Sequence, residues 1–290
     1  MRRKSNLWLE TSAIAVLLLC MSGTAAAQYG QGSQGSQSQP PAQQPDKSKA
    51  SNVTPLTLDA PPPVTAEEEA AYKEFQGAPA NDLNKRISLG EALLQKYPQS
   101  RYRTSVYGAL AYGYLQLGQT QKMQEYGEKA IEANPNDVTT LALLAQTLPR
   151  LHANPAEAAQ VLAKAEQYSK RAIEITATLP KPESLTEEVF TSAKNQTLAM
   201  AHSGLGLVYI KRGKNAEAIS ELEQAVKIDP SPDPVNYYLL GMANKSTSHF
   251  DDAVAAFNKC AAMAGQLQAQ CKALAEDAKK QAATELSAPK

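Results

Sequence analysis

The sequence predicts an all-α protein in which pairs of antiparallel helices repeat along the chain. From about residue 66 onward, apolar residues recur three and four positions apart among Ala, Leu, Glu and Lys, a pattern typical of amphipathic helices. Two segments also share one internal register, because Gly206 to Ala218 and Gly241 to Ala253 are both separated by twelve residues. Small residues at a fixed separation allow two helices to approach closely, so this repetition predicts paired helices.

The first 27 residues are predicted to be a signal peptide that is removed from the mature chain. Basic residues occupy positions 2–4, and an apolar run too short to span a bilayer comfortably follows at 12–21. Ala25 and Ala27 then supply the small residues that signal peptidase requires, which predicts cleavage after Ala27. We therefore expect an exported protein that is periplasmic or associated with the cell envelope.

A second interpretation of the same segment is a lipoprotein signal, in which Cys20 is acylated and becomes the first mature residue. Leu19 argues against lipidation, because lipoprotein signals usually carry a small residue directly before the cysteine. Simple cleavage is the preferred interpretation. A lipoprotein anchored at Cys20 is the alternative, and an uncleaved anchor is a third.

Residues 28–63 are rich in Gln, Gly, Ser and Pro and are predicted to form a disordered tether. The segment contains too little apolar surface to offset the entropy that it would lose on ordering. Without residues 1–27 the chain carries 26 basic and 28 acidic residues, a net charge of −2. Such a balance favours neither nucleic acid nor anionic lipid as a partner, and no membrane insertion is expected after signal cleavage.

Five repeat-like units and a final helix are predicted after the tether. In the clearest unit, Leu205 and Gly206 share one part of a first helix, Gly213 turns the chain, and Pro230 ends the second helix. The repeats occupy 64–265, with units at about 66–98, 104–137, 138–178 with an insertion, 199–232 and 234–265, and a capping helix and tail occupy 266–290.

These residues resemble the tetratricopeptide repeat (TPR) family, whose units of roughly 34 residues are antiparallel helix pairs stacked into a superhelix. The family's preferred tryptophan is absent, and Tyr107, Leu141, His202 and Tyr237 occupy the corresponding places. The resemblance implies a TPR-type superhelical solenoid closed by a C-terminal capping helix. It also implies a non-catalytic scaffold that binds a protein or peptide on the concave face formed by the first helices.

The resemblance places eight residues on that concave face, where they would contact a partner. They are aromatic, aliphatic, amide, hydroxyl and amino side chains: Tyr112, Gln116, Gln146, Ser203, Leu207, Lys211, Tyr238 and Met242. Such a mixture suits an extended or helical peptide with apolar anchors. Packing between neighbouring repeats is the alternative explanation for each residue.

No arrangement of residues in the sequence indicates catalysis, a metal or a cofactor. His152, His202 and His249 lie far apart, and none pairs with a cysteine or carboxylate at a ligand spacing. Phosphate-binding loops and nucleophile motifs are absent, and Gly204 and Gly206 fit helix packing better than a nucleotide motif. We therefore expect no enzyme, no cofactor and no metal site.

Two helices are predicted to exceed the length that a repeat needs. Asn154 to Glu157 has the composition of a helix start, and a helix could run from there to about Thr176. Ser184 to Glu187 has a capping-box pattern, which predicts that a second helix continues to Arg212. The 176–198 insertion is a candidate interaction site, and an active site there is the enzyme alternative, although it lacks a nucleophile with a base.

Cys260 and Cys271 are expected to form a disulfide that fastens the capping helix to the last unit. They flank Gly265, which is expected to supply the positive φ of a turn between two antiparallel helices. Export provides oxidising surroundings in which such a bond persists. Two free buried thiols are the alternative.

Binding of an envelope protein or peptide is the first function hypothesis that these observations support. The alternative, of the same broad class, is a membrane-anchored assembly factor for outer-membrane or secretion machinery. Lipidation at Cys20 would favour that alternative.

Overall fold

The computed structural model describes residues 64–151, 154–229 and 231–287. Within these ranges the chain forms eleven α-helices and one 3₁₀ turn, Leu148–Arg150, and contains no β-strand. The helices are α1 Ala66–Gly77, α2 Leu83–Lys96, α3 Arg103–Gln116, α4 Thr120–Ala133, α5 Val138–Thr147, α6 Pro155–Thr178, α7 Glu187–Lys211, α8 Asn215–Ile228, α9 Pro234–Ser246, α10 Phe250–Ala262 and α11 Gln268–Ser287. The all-α fold class is confirmed.

Consecutive helices pack against each other as five antiparallel pairs: α1/α2, α3/α4, α5/α6, α7/α8 and α9/α10. The last helix, α11, packs against α10. First helices of neighbouring pairs also meet, and the contact between α5 and α7 is the most extensive of these. This is the TPR-type arrangement that the sequence predicted.

The predicted signal peptide 1–27, with Cys20, and the tether 28–63 lie outside the described residues. The same holds for residues 152–153, residue 230 and the last three residues of the tail.

Side-chain caps explain where many of the helices begin, because they satisfy backbone N–H groups of the first turn. The capping residues are Thr65, Asp82, Asp137, Asn154, Thr186 and Asp233. The capping box expected at Ser184 is shifted by two residues. Thr186 is the N-cap of α7, and its hydroxyl oxygen accepts a hydrogen bond from the Val189 N–H at 3.3 Å.

In three of the pairs, the turn between the two helices contains a residue in the left-handed backbone conformation. Gly118 and Gly213 adopt φ values of 70° and 72°, and Gly213 is the turn residue that the sequence predicted in the clearest unit. In the last pair Ser248 occupies the equivalent place with φ 62°. The positive φ expected at Gly265 is absent, because α10 ends on Met263 in an extended conformation with φ −92° and ψ 129°.

Small residues allow the two helices of a pair to approach closely. A Cβ on Gly206 would lie 2.6 Å from Leu222 Cγ, and a Cβ on Gly241 would lie 2.5 Å from Phe257 Cε1. The atoms nearest to a Cβ on Gly206 therefore belong to Leu222, one turn beyond Ala218 on α8. Leu222 and Phe257 are fully buried and fill the space that the glycines leave.

Helices α6 and α7 are 24 and 25 residues long and form a projecting hairpin. Phe190, Ala193 and Thr197 of α7 are buried in it, and Lys194 Nζ donates a hydrogen bond to the Ala177 carbonyl at 3.0 Å. Gly204 of α7 lies against Ala145 of α5, so roughly ten residues of α7, about 15 Å, precede the level of Val138, where α5 begins.

The last two helices are joined covalently. Cys260 of α10 and Cys271 of α11 form a disulfide, and both residues are fully buried. Lys245 of α9 adds an ion pair to Asp277 of α11, with the nitrogen and oxygen 2.5 Å apart. Hydrogen bonding to Lys245 lowers the pKa of the Asp277 carboxyl, so this pair is charged at neutral pH.

Candidate functional site

The first helices of the second to fifth pairs, α3, α5, α7 and α9, present one side chain each at an equivalent place. We call the surface that they form the first-helix surface. Each of these side chains directly follows the small residue of its helix, and all four are partly exposed: Tyr112, Gln146, Leu207 and Met242. Their repetition through four pairs follows from the shared register of the units.

A second row of side chains lies one helical turn further along the same helices. It contains Gln116, Arg150, Lys211 and Ser246, which are all exposed. Gln116, Lys211 and Ser246 end α3, α7 and α9, whereas Arg150 ends the 3₁₀ turn after α5. These four side chains therefore form a row along one edge of the first-helix surface.

One residue predicted for the concave face is not at the surface. Ser203 is only 1% exposed, and its hydroxyl group donates a hydrogen bond to the Asn236 side-chain oxygen at 2.5 Å. Ser203 lies on α7 and Asn236 on α9, so this bond joins the first helices of neighbouring pairs. Its assignment as a partner-binding residue is wrong, because the next pair covers it.

Three other predicted residues are partly buried in the core and partly exposed to solvent. Leu207 packs against the apolar cluster between the fourth and fifth pairs, and Met242 packs against the cluster beneath α11. Tyr238 contacts both clusters. The packing explanation therefore accounts for part of each side chain, while Tyr112, Gln116, Gln146 and Lys211 belong to neither of these clusters.

Arg150 is a surface residue that the sequence reasoning did not select. It occupies the place in the third pair that Gln116 and Lys211 occupy in the second and fourth pairs. This repeat position is the feature of the sequence from which Arg150 could have been identified. Within the described part of the chain, Arg150 forms no ion pair and no side-chain hydrogen bond.

Nearby cations differ from Arg150 because other residues already neutralise them. Arg212, at the end of α7, forms an ion pair with Glu166 of α6, and Lys245 of α9 forms one with Asp277. These two cations therefore contribute to the stability of the stack, and less of their charge is available to a partner.

The sequence matches the family described as AimR transcriptional regulator-like over residues 71–263. That range contains more than half of the 290 residues and includes the whole first-helix surface. The chain belongs to the AimR transcriptional regulator-like family.

Three solved structures of TPR proteins are similar to this AimR-like chain at low sequence identity. TTC0263, a thermophilic TPR protein of Thermus thermophilus, is 19% identical, with 73% of this chain and 99% of that chain covered and a TM-score of 0.47. The P58(IPK) TPR domain is 16% identical, with 74% and 65% covered and a TM-score of 0.32. A TPR protein of Parabacteroides merdae is 16% identical, with 74% and 100% covered and a TM-score of 0.30. A comparison with curated proteins finds no match.

The two described histidines, His202 and His249, each have one close polar neighbour. His202 Nδ1 lies 2.7 Å from a Glu221 carboxylate oxygen, so the half-buried imidazole links α7 to α8. His249 lies within hydrogen-bond distance of Thr247, and His152 lies outside the described residues. Among the described residues, no three His, Cys, Asp or Glu side chains are grouped as metal ligands would be. No helix in the described ranges is both long and apolar enough to cross a membrane.

Proposed function

We propose that this chain is a non-catalytic scaffold that binds a protein or peptide on its first-helix surface. One observation carries the proposal. In the second to fourth pairs, accessible side chains repeat at equivalent places without a partner of their own in the described part of the chain: Tyr112, Gln146, Arg150 and Lys211. A repeated row of this kind provides contacts at regular intervals to a ligand that crosses several pairs.

An extended peptide fits this surface better than a compact small molecule. Aromatic and amide groups such as Tyr112 and Gln146 can pack against a peptide backbone and donate hydrogen bonds to it. Two cavities in the described residues lie away from this surface and are open to solvent, one of them lined by Glu128 and Tyr168 and the other by Tyr97. Small-molecule sites are usually concave and enclosed.

We also propose that the protein is exported and acts in the periplasm or at the cell envelope. The predicted signal peptide at 1–27 supports this location. The disulfide between Cys260 and Cys271 supports it too, because such bonds persist in oxidising compartments. Acylation of Cys20 would instead favour a membrane-anchored assembly factor. N-terminal sequencing of the exported protein distinguishes these, since simple cleavage leaves Gln28 as the first residue.

The family description refers to a transcriptional regulator, and the matched residues lie within the helical repeats. Contact with DNA requires a concentration of basic side chains on one surface. The whole chain has a formal net charge of zero, and two cations near the first-helix surface are already paired. We therefore propose a protein or peptide as the ligand.

Site-specific photocrosslinking tests the proposed surface. A photoreactive amino acid is placed at Gln146, and the matched control carries it at Gln224, an exposed glutamine on α8 outside the first-helix surface. We expect the Gln146 protein to crosslink a defined partner in cells, and the same partner to crosslink from Tyr112. Labelling from Gln224 that equals the labelling from Gln146 would contradict the proposed surface.

A further inference from the structure

Arg150 is held in place by its backbone neighbours. Leu148 and Pro149, the other two residues of the 3₁₀ turn, are both buried, and the turn packs against α6 and α7. Because the turn is anchored on its apolar side, the third residue is directed outward. Arg150 is exposed as a result, although its backbone is fixed.

The guanidinium of Arg150 is open to solvent and yet surrounded by protein. Desolvation by the neighbouring chain lowers the pKa of Arg150, and Asp233 opposes this effect. The guanidinium remains charged, because arginine does not lose its proton in proteins.

Asp233 compensates the desolvation of this charge only in part. Its carboxylate caps α9 by accepting a hydrogen bond from the Val235 N–H at 2.8 Å, and it forms no ion pair with Arg150. A partly desolvated cation without a close counter-ion is unfavourable by itself. A carboxylate brought by a ligand would form charge-assisted, bidentate hydrogen bonds with the planar fork of donors.

The position of Arg150 in the stack indicates whether its ligand is a side-chain carboxylate or the carboxylate of a chain terminus. It belongs to the third of five helix pairs, with Gln116 on the second pair and Lys211 on the fourth. A ligand that contacts all three continues past Arg150 in both directions. The carboxylate is then a side chain within the ligand, since a chain terminus would end there.

We propose that Arg150 binds the side-chain carboxylate of an Asp or Glu within an extended peptide that lies across the first-helix surface. This inference rests on the proposed function and specifies its ligand as an acidic peptide. Gln146, one turn before Arg150, lies where it can hydrogen-bond to the backbone of the same peptide. Lys211 lies on the next pair, where it favours further negative charge on the ligand.

The test uses short fluorescent peptides built from Ala, Leu, Tyr and Ser, with both termini blocked to remove their charges. One set carries a Glu at successive internal positions, and a matched set carries Gln at the same positions. A third set carries Gln and a free C-terminal carboxylate. Fluorescence anisotropy measures their binding to the mature protein and to the Arg150→Gln variant. Lys272→Gln, an exposed position on α11, is the matched control for loss of one positive charge.

We expect the best Glu peptide to bind the wild-type protein about tenfold more tightly than its Gln counterpart, the usual scale of a charge-assisted pair. The difference should disappear in Arg150→Gln and persist in Lys272→Gln. Arg150→Lys should retain part of the difference between Glu and Gln peptides. The lysine ammonium group keeps the positive charge but lacks the paired donors of the planar guanidinium. The thermal midpoint of Arg150→Gln should equal or exceed that of the wild type, since the substitution breaks no ion pair and removes a partly desolvated charge.

Four results would overturn the inference. If Glu and Gln peptides bind equally well, or if the preference for Glu survives in Arg150→Gln, Arg150 is not the carboxylate site and the proposed peptide surface still stands. A preference confined to the free C-terminal carboxylate would replace the internal side chain by a chain terminus. If no peptide of any set binds, this inference fails, and the proposed function is then decided independently by crosslinking from Gln146.

Discussion

Gly204 lies so close to Ala145 that a Cβ on the glycine would be 2.3 Å from the Ala145 carbonyl oxygen. Gly204 belongs to α7 and Ala145 to α5, so this is a contact between first helices of neighbouring pairs. The atoms that a larger side chain would meet belong to the backbone, which cannot rotate away as the end of a side chain can. Gly204 therefore determines how closely the third and fourth pairs stack.

Replacing Gly204 by Ala should destabilise the protein by about 2–3 kcal/mol, toward the upper end of the usual cost of overpacking. The helix propensity of alanine would offset up to about 1 kcal/mol of this cost. Urea denaturation followed by circular dichroism measures the change. Gly77→Ala is the matched control, because a Cβ on Gly77 has no neighbour within 4 Å. A Gly204→Ala protein as stable as Gly77→Ala would contradict the close contact.

Ser248 occupies the left-handed turn position that Gly118 and Gly213 occupy in earlier pairs, with φ 62°. A side chain in this conformation is strained, because Cβ comes too close to the backbone. Ser248→Gly should therefore raise the free energy of unfolding by about 0.5–1 kcal/mol, despite the greater freedom of glycine in the unfolded chain. The reciprocal change, Gly213→Ser, should lower it by a similar amount. A destabilised Ser248→Gly protein would contradict the argument.

Local rules allowed much of the fold to be predicted from the sequence. Gly118 and Gly213 mark turns because their conformation depends on a few neighbouring residues, and Gly206 marks a helix contact because small residues repeat at one register. The sequence predicted that the second helix approaches Gly206 near Ala218, and the nearest side chain is that of Leu222, one turn further along α8. The rise of a helix permits either Ala218 or Leu222 to face the glycine, and only packing selects Leu222.

The functional surface was harder to predict, because it depends on contacts between pairs. Ser203 lies one turn before the partly exposed Leu207 on α7, yet it is buried and its hydroxyl donates a hydrogen bond to Asn236 of the next pair. Arg150 was not among the residues selected from the sequence, and it lies beyond Thr147, the last residue of α5. The 3₁₀ turn continues far enough to place Arg150 in register with Gln116.

The disulfide between Cys260 and Cys271 should stabilise the attachment of α11. A covalent loop of this size contributes about 2–3 kcal/mol in the chain-entropy estimate, because it restricts the unfolded chain. The double variant Cys260→Ala with Cys271→Ala should lose about this amount. Alanine keeps both sites apolar, so little else changes.

A reductant provides the control for this comparison. It should lower the thermal midpoint of the wild-type protein toward that of the double alanine variant, and it should leave the variant unchanged. An unchanged wild-type midpoint under full reduction would show that the bond contributes nothing to stability.

Asp137 combines a favourable cap with an unfavourable charge. Its carboxylate accepts hydrogen bonds from the Thr140 N–H at 3.2 Å and the Thr140 hydroxyl at 2.9 Å. Asp137 is thus the N-cap of α5. Burial nevertheless raises the pKa of Asp137 above its ordinary value, and these hydrogen bonds only partly oppose that effect. The cap therefore stabilises α5, while ionisation of the capping group disfavours the folded state.

The sign of the pH dependence follows from this raised pKa. Between the ordinary pKa and the raised folded one, the folded protein binds the proton more strongly than the unfolded chain does. The contribution of Asp137 to stability is therefore greatest in acid and falls as the pH rises through the folded pKa. At neutral pH the charge disfavours the folded state.

Asp137→Asn should retain the cap and remove the charge, because asparagine offers a carbonyl oxygen to the Thr140 N–H. At neutral pH we expect its free energy of unfolding to equal or exceed that of the wild type, and this advantage should diminish as the pH is lowered. Asp137→Ala loses the cap and should be less stable by about 1 kcal/mol. Urea denaturation of the three proteins between acid and neutral pH measures both effects. An Asn variant as unstable as the Ala variant at every pH would show that both carboxylate oxygens are needed and that the charge costs little.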